Sequence, residues 1–168
     1  MNVKIFRLLL MFSVAYFLNS CSSDSPAIQN TSTSLPLSTV PVYTYNSLED
    51  ETLALINSHR VSIGLKTLQK NNYVSFKSEE HDNYMINNNV VNHDYFSTRS
   101  QNIIETLGAK RVGENIAYNY NSPKAALAAW LESPEHKLCI EGDYSHFGIS
   151  IRINAEGKKY YTNIFIKM

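Results

Sequence analysis

Four apolar residues at alternate positions, Phe147, Ile149, Ile151 and Ile153, constrain this chain more than any other feature. Apolar residues spaced by two, with small or polar neighbours between them, mark a strand that buries one face. Residues 154–158, which contain Gly157, supply a hairpin turn, and residues 159–166, rich in Tyr, Thr, Ile and Phe, supply the return strand. The buried face needs a covering layer, and the segments upstream read as helices. Ser47 is placed to cap a helix that opens with Glu49, Asp50 and Glu51, repeats Leu48, Leu55, Ile56 and His59 at helical spacing, and stops at Gly64. A second helix is expected over residues 73–87, with Val74, Ser78, His81 and Met85 on one face, ending in Asn87-Asn88-Asn89. A short third helix is expected near residues 101–107. Ser122-Pro123 and Ser133-Pro134 are two cap-plus-proline starts. The first opens a helix through Ala125, Ala126, Ala129 and Trp130, and the second a short one carrying Glu135 and His136. Helices early and antiparallel strands late predict an α+β domain.

The 168 residues, 43% apolar, suffice for one domain with an ordinary core plus short appendages, which excludes disorder along the whole chain. Fifteen Lys and Arg balance fifteen Asp and Glu without a long run of either sign, so nucleic acid is excluded as a partner.

Residues 1–20 read as a signal peptide of lipoprotein type. Lys4 and Arg7 form its positive start, residues 8–18 are apolar but too few for an ordinary membrane span, and Leu18-Asn19-Ser20-Cys21 resembles the bacterial lipobox. Cys21 is then the lipidated first residue of the mature protein, which is anchored to a membrane outside the cytoplasm. Removing residues 1–20 leaves thirteen bases against fifteen acids, close to neutral. Residues 21–45 read as the lipidated cysteine and a Ser-, Thr-, Pro- and Asn-rich tether, and residues 46–168 as the folded domain. Asn30-Thr31-Ser32 has the form of a glycosylation sequon, which carries little weight in a bacterial lipoprotein. With Cys21 acylated, Cys139 has no partner for a disulfide and reads as a small buried apolar residue.

The Gly-x-Ser-x-Gly elbow, the His-Glu-x-x-His zinc motif, Cys-x-x-Cys and the phosphate-cradling glycine loop are all missing from the sequence. What remains is a scatter of imidazoles and carboxylates: His93, Glu114, Glu132, Glu135, His136, Asp143 and His146. Imidazoles with one or two carboxylates are what zinc takes, but spacing alone does not show which of these converge.

Ile56-Asn57-Ser58-His59-Arg60 with Gly64-Leu65, Asn92-His93-Asp94-Tyr95-Phe96 with Arg99, Gly113-Glu114-Asn115-Ile116-Ala117, Trp130-Leu131-Glu132-Ser133-Pro134-Glu135-His136 and Phe147-Gly148-Ile149 follow one another in this order. The set resembles the CAP superfamily (cysteine-rich secretory, antigen five and pathogenesis-related proteins; the SCP-like domain), in its bacterial branch. The resemblance covers residues 48–166. It implies an α-β-α sandwich, an antiparallel sheet with helices on both sides, and a central cleft with two histidines and up to two glutamates that binds Zn²⁺ or another divalent metal in some members. His93 matches the first histidine, Glu114 the first glutamate and His136 the second histidine. The second glutamate's position is Ser133, so that group is missing unless Glu132 or Glu135 replaces it; both of these read as solvated helix carboxylates. Asp143 and His146 fall outside the matched site. Asn57, Arg60 and Asn115 read as residues that tie helix ends and loops together, and Trp130 as core.

Three functions are then open: a binding module whose cleft holds a metal, a lipid, a glycan fragment or another small molecule; a metal-assisted hydrolase with Glu114 as general base and His93 and His136 holding the water; or an interaction domain with an inactive site. The first is the expectation, because the superfamily shares no single catalytic activity.

Overall fold

A computed structural model describes residues 42–168. The signal peptide, the Cys21 lipidation site, the sequon and most of the tether lie outside these residues. The tether boundary moves, however, because Tyr43 is buried (4% exposed) and Tyr45 packs partly against the core. Tyr43 Oη donates to Glu49 Oε1 at 2.9 Å and accepts from Arg152 Nη2 at 2.8 Å, so residues 43–45 belong to the packed unit.

Helix α1 runs Ser47–Ser62, and its cap is Asn46, one residue before the expected Ser47. The reason is reciprocity: Asn46 Oδ1 accepts from the Leu48 and Glu49 amides, and the Glu49 carboxylate accepts from the Asn46 amide. After it come β1 (Gln69–Lys70), α2 (Asn72–Asn88) and α3 (Phe96–Leu107). Asn89, left-handed at φ 50°, ends α2 where the asparagine run was expected to end it. Then follow β2 (Arg111–Tyr118), α4 (Pro123–Glu132), α5 (Pro134–Ile140), β3 (His146–Ile153) and β4 (Lys159–Lys167). Both Ser-Pro pairs start helices, and the Ser122 hydroxyl accepts from the Ala125 amide at 3.2 Å.

The strands form one sheet in the order β1-β3-β4-β2. The pairs β3–β4 and β4–β2 are antiparallel as expected, while the two-residue β1 adds a parallel edge against β3. Alternation divides the strands between two cores. Phe147, Ile149, Ile151, Tyr161 and Phe165 face Ile56 of α1, Leu127 and Trp130 of α4, and Ile140 of α5. Ile164 and Ile166 face Val74 of α2 and Ile103 of α3. The domain is therefore an α-β-α sandwich, α2 and α3 on one side and α1, α4 and α5 on the other.

Strand β2 carried no strand signal in the sequence. Gly113, Glu114, Asn115 and Ala117 are all buried, on both of its faces, so polar residues occupy interior positions and the two-residue apolar period is erased. Helix α3 also begins five residues earlier than expected, at Phe96, entered from Tyr95 in the left-handed conformation (φ 59°). Gly148 explains how closely α2 lies on β3: a Cβ there would overlap the Val74–Ser75 peptide.

Candidate functional site

The turn between α2 and α3 carries His93, and it is pinned from three directions. Asn92 Oδ1 accepts from the Asp94 amide (3.1 Å) and Asn92 Nδ2 donates to Asp94 Oδ2 (2.9 Å). From α2, Tyr84 Oη donates to Asp94 Oδ2 (2.8 Å) and His81 Nε2 donates to the Asn92 carbonyl (2.8 Å). From α3, Arg99 Nη1 donates to the Asp94 carbonyl (3.0 Å). The left-handed Tyr95 is a strained conformation for a bulky residue, and these bonds hold it.

So held, His93 meets Glu114 of β2. His93 Nδ1 lies 2.8 Å from Glu114 Oε1; the carboxylate accepts, so the proton is on Nδ1 and Nε2 is left with a free lone pair. The His93 side chain is 47% exposed, whereas that of Glu114 is 1% exposed. Arg99 completes the arrangement: Nη2 donates to Oε1 (2.8 Å) and Oε2 (2.7 Å), and Nε donates to Oε2 (2.9 Å). Each carboxylate oxygen thus carries two hydrogen bonds. Burial by itself would push the Glu114 pKa up, but the His93 hydrogen bond and the Arg99 guanidinium outweigh it and hold the carboxyl below its usual value. His81, buried behind this pair, has its pKa lowered by burial and then by the charge of Arg99.

His136 lies on α5, next to β2. Its carbonyl accepts from Asn115 Nδ2 at 2.9 Å, so neighbouring residues of β2 serve the two faces: Glu114 holds His93 and Asn115 holds the helix of His136. The His136 pKa is lowered, first of all by burial. His136 also lines a cleft of about 370 Å³ with Ile116, Tyr118, Tyr120, Ala129 and Trp130. Among the described residues, no three His, Cys, Asp or Glu side chains stand close enough together to hold a metal ion.

The other candidates separate from this site. Asp143 pairs with Lys167 (2.7 Å), and His146 Nδ1 contacts Ser145 Oγ (2.9 Å); both border a different cleft. Glu132 and Glu135 are exposed. Trp130 is core, 1% exposed, with Nε1 donating to the Ile116 carbonyl at 2.7 Å. Cys139 is a free, half-buried thiol whose pKa is raised by burial. Asn57 brackets Leu68, accepting from its amide (2.8 Å) and donating to its carbonyl (3.0 Å). Arg60 donates to the carbonyls of Lys66, Ile140 and Gly142, the tying role expected of it. Sequence reasoning gave no role to Arg99 and read His81 as one face of a helix. The available signal was charge: a buried glutamate on a strand demands a cation, and Arg99 is quoted in the same motif as His93.

Comparison with known proteins agrees with this architecture. A profile of the cysteine-rich secretory protein family (CAP) matches residues 53–165. The membrane protein YlbC of Bacillus subtilis is 34% identical over 123 residues, 71% of this chain and 34% of its own length. An extracellular protein of Bacillus anthracis containing an SCP domain superposes with a TM-score of 0.64 at 25% identity, over 71% of this chain and 40% of the other. An outer surface protein of Borrelia burgdorferi superposes with a TM-score of 0.65 at 20% identity, over 76% of this chain and 98% of the other. The chain thus spans only a minor part of YlbC and of the Bacillus anthracis protein.

Proposed function

The chain belongs to the CAP family, the cysteine-rich secretory proteins, and from that premise we propose that it is an envelope binding module, lipid-anchored through Cys21, whose cleft takes a divalent metal ion on His93 and His136. The observation that carries this reading is the His93–Glu114 contact of 2.8 Å. A histidine that gives one ring N–H to a buried carboxylate presents its other nitrogen as a fixed, electron-rich donor, the arrangement found behind metal-ligating imidazoles. The donor chemistry fits zinc, though with two protein nitrogens and not three ligands, because the oxygens of Glu114 are already engaged. Such a site is open and holds its ion weakly. An ion held by His93 and His136 would supply a Lewis-acidic centre for an oxygen of a small molecule, lipid or glycan. The aromatic cleft beside His136, lined by Tyr118, Tyr120 and Trp130, would then receive the apolar part of such a ligand.

Hydrolysis with Glu114 as general base is disfavoured. A base needs an oxygen free to accept a proton, and the Arg99 pair leaves this carboxylate none and lowers its basicity. Zinc titration of the purified domain tests the proposal: His93→Ala and His136→Ala should each weaken binding at least tenfold, and affinity should fall as pH drops through about 6.5, where free histidine protonates. Zinc binding indifferent to both substitutions would sink it. A substrate panel run with and without chelator should show no turnover. For the anchor, the lipobox and the kinship with a membrane protein support the reading. Cys21→Ser should move the protein out of the membrane fraction and remove its lipid mass.

A further inference from the structure

The cleft bordered by Asp143 and His146 encloses about 610 Å³ beside the end of α1 and the approach to β3, and Arg60 lines it. Arg60 is only 2% exposed, yet among the described residues no carboxylate touches its guanidinium. Nε donates to the Lys66 carbonyl and Nη1 to those of Ile140 and Gly142, so the charge is solvated by backbone dipoles and not neutralised by an anion. A buried cation on those terms is costly. Nη2, with two N–H groups, remains uncommitted. The loop after α1 turns at Gly64 (φ 80°) and brings Lys66, exposed and without an ion pair among the described residues, to the same cleft. The two acids of the lining are engaged elsewhere, Glu141 Oε1 by His59 at 2.8 Å and Asp143 Oδ1 by Lys167 at 2.7 Å. Two cations of the lining therefore lack an anion.

We propose that this cleft binds the phosphate group of a phosphorylated polyol, held by Arg60 and Lys66. A carboxylate pairs best with two parallel N–H bonds from one guanidinium. Both forks that include Nη2 are half-spent, one through Nε and the other through Nη1, so that fit is closed. A phosphate oxygen can take a single N–H of Nη2, and the lysine serves the same group as a point charge. The cleft is larger than one phosphate needs, and the rest of its lining is polar. Thr67, Gln69 and the second carboxylate oxygens of Glu141 and Asp143 suit the hydroxyls of a polyol.

The test is calorimetric titration of the full-length protein in detergent with glycerol 3-phosphate, inorganic phosphate, glycerol and succinate. Glycerol 3-phosphate should bind more tightly than inorganic phosphate, added salt should weaken both, and glycerol and succinate should not bind. Lys66→Gln, at an exposed position, should weaken glycerol 3-phosphate by about tenfold or more, the loss expected for one charge-assisted hydrogen bond, and Lys66→Arg should restore most of it. Arg60→Lys should weaken it similarly; where that variant does not fold by circular dichroism, the two Lys66 variants decide. Absence of glycerol 3-phosphate binding, or binding indifferent to Lys66→Gln, overturns the site. Succinate binding as tightly as phosphate overturns the choice of anion. Inorganic phosphate binding as tightly as glycerol 3-phosphate upholds the phosphate site and overturns the polyol.

Discussion

The Arg99–Glu114 pair is a buried charge pair, and such pairs are conspicuous when broken. Glu114→Ala leaves the Arg99 guanidinium without its anion and should destabilise the domain by about 3–5 kcal/mol in urea unfolding. The double variant Arg99→Met/Glu114→Ala should recover much of that loss, because neither charge remains to be solvated. A small or additive effect would show that water reaches the pair. Asp82 is the opposite case, a carboxyl with no cation in contact. It is fully buried, accepts from Thr162 Oγ1 at 2.6 Å, and burial raises its pKa well above the usual aspartate value, with Thr162 and Ser150 opposing the shift. A group whose folded pKa is raised lends stability that is present below its unfolded pKa and is lost as pH rises through the folded pKa. Melting temperature should therefore fall with rising pH more steeply in the wild type than in Asp82→Asn; parallel curves would show that Asp82 is not protonated in the fold.

Among the elements, Gly148 makes the contact of α2 with β3 possible, and Gly148→Ala should cost about 1–3 kcal/mol, since the added methyl meets peptide backbone that cannot swing aside. The N-terminal segment gives a graded test. Deleting residues 22–41 should leave the melting temperature unchanged, because their composition offers no periodic apolar face. Extending the deletion through residue 45 should lower it sharply, since Glu49, wholly buried, loses the Tyr43 hydroxyl and Arg152 loses a neighbour. The helices and the C-terminal hairpin were legible because their signals are local: Ser-Pro starts, an asparagine terminator, and the alternation of Phe147, Ile149 and Ile151. Strand β2 was not legible, because its buried Glu114 and Asn115 find their hydrogen-bond partners, Arg99, His93 and the His136 carbonyl, 15–21 residues away in sequence. That His93 meets Glu114 followed from family resemblance; that Arg99 commands the carboxylate followed from neither resemblance nor spacing.

For the whole molecule, three groups, His81 and Glu114 buried and His136 partly so, titrate in the same direction. His81 and His136 have lowered pKa values, so unfolding takes up protons once pH falls below about 6.5. Glu114, also lowered, contributes stability that is lost as pH falls through its folded pKa. The domain should therefore lose stability from near pH 6.5 downward, first from the histidines and at lower pH from Glu114, and His81→Gln should flatten the first part of that decline; an unchanged profile would exclude His81 as a source. The covering of β2 bears on how such molecules live side by side. Among the described residues β2 is the outer strand of the sheet, yet the Trp130 indole donates to the Ile116 carbonyl. An uncovered sheet border is a template on which neighbouring copies add strand to strand. On the membrane tether proposed above, copies of the chain would meet in the same orientation, and the indole would guard this border against strand addition.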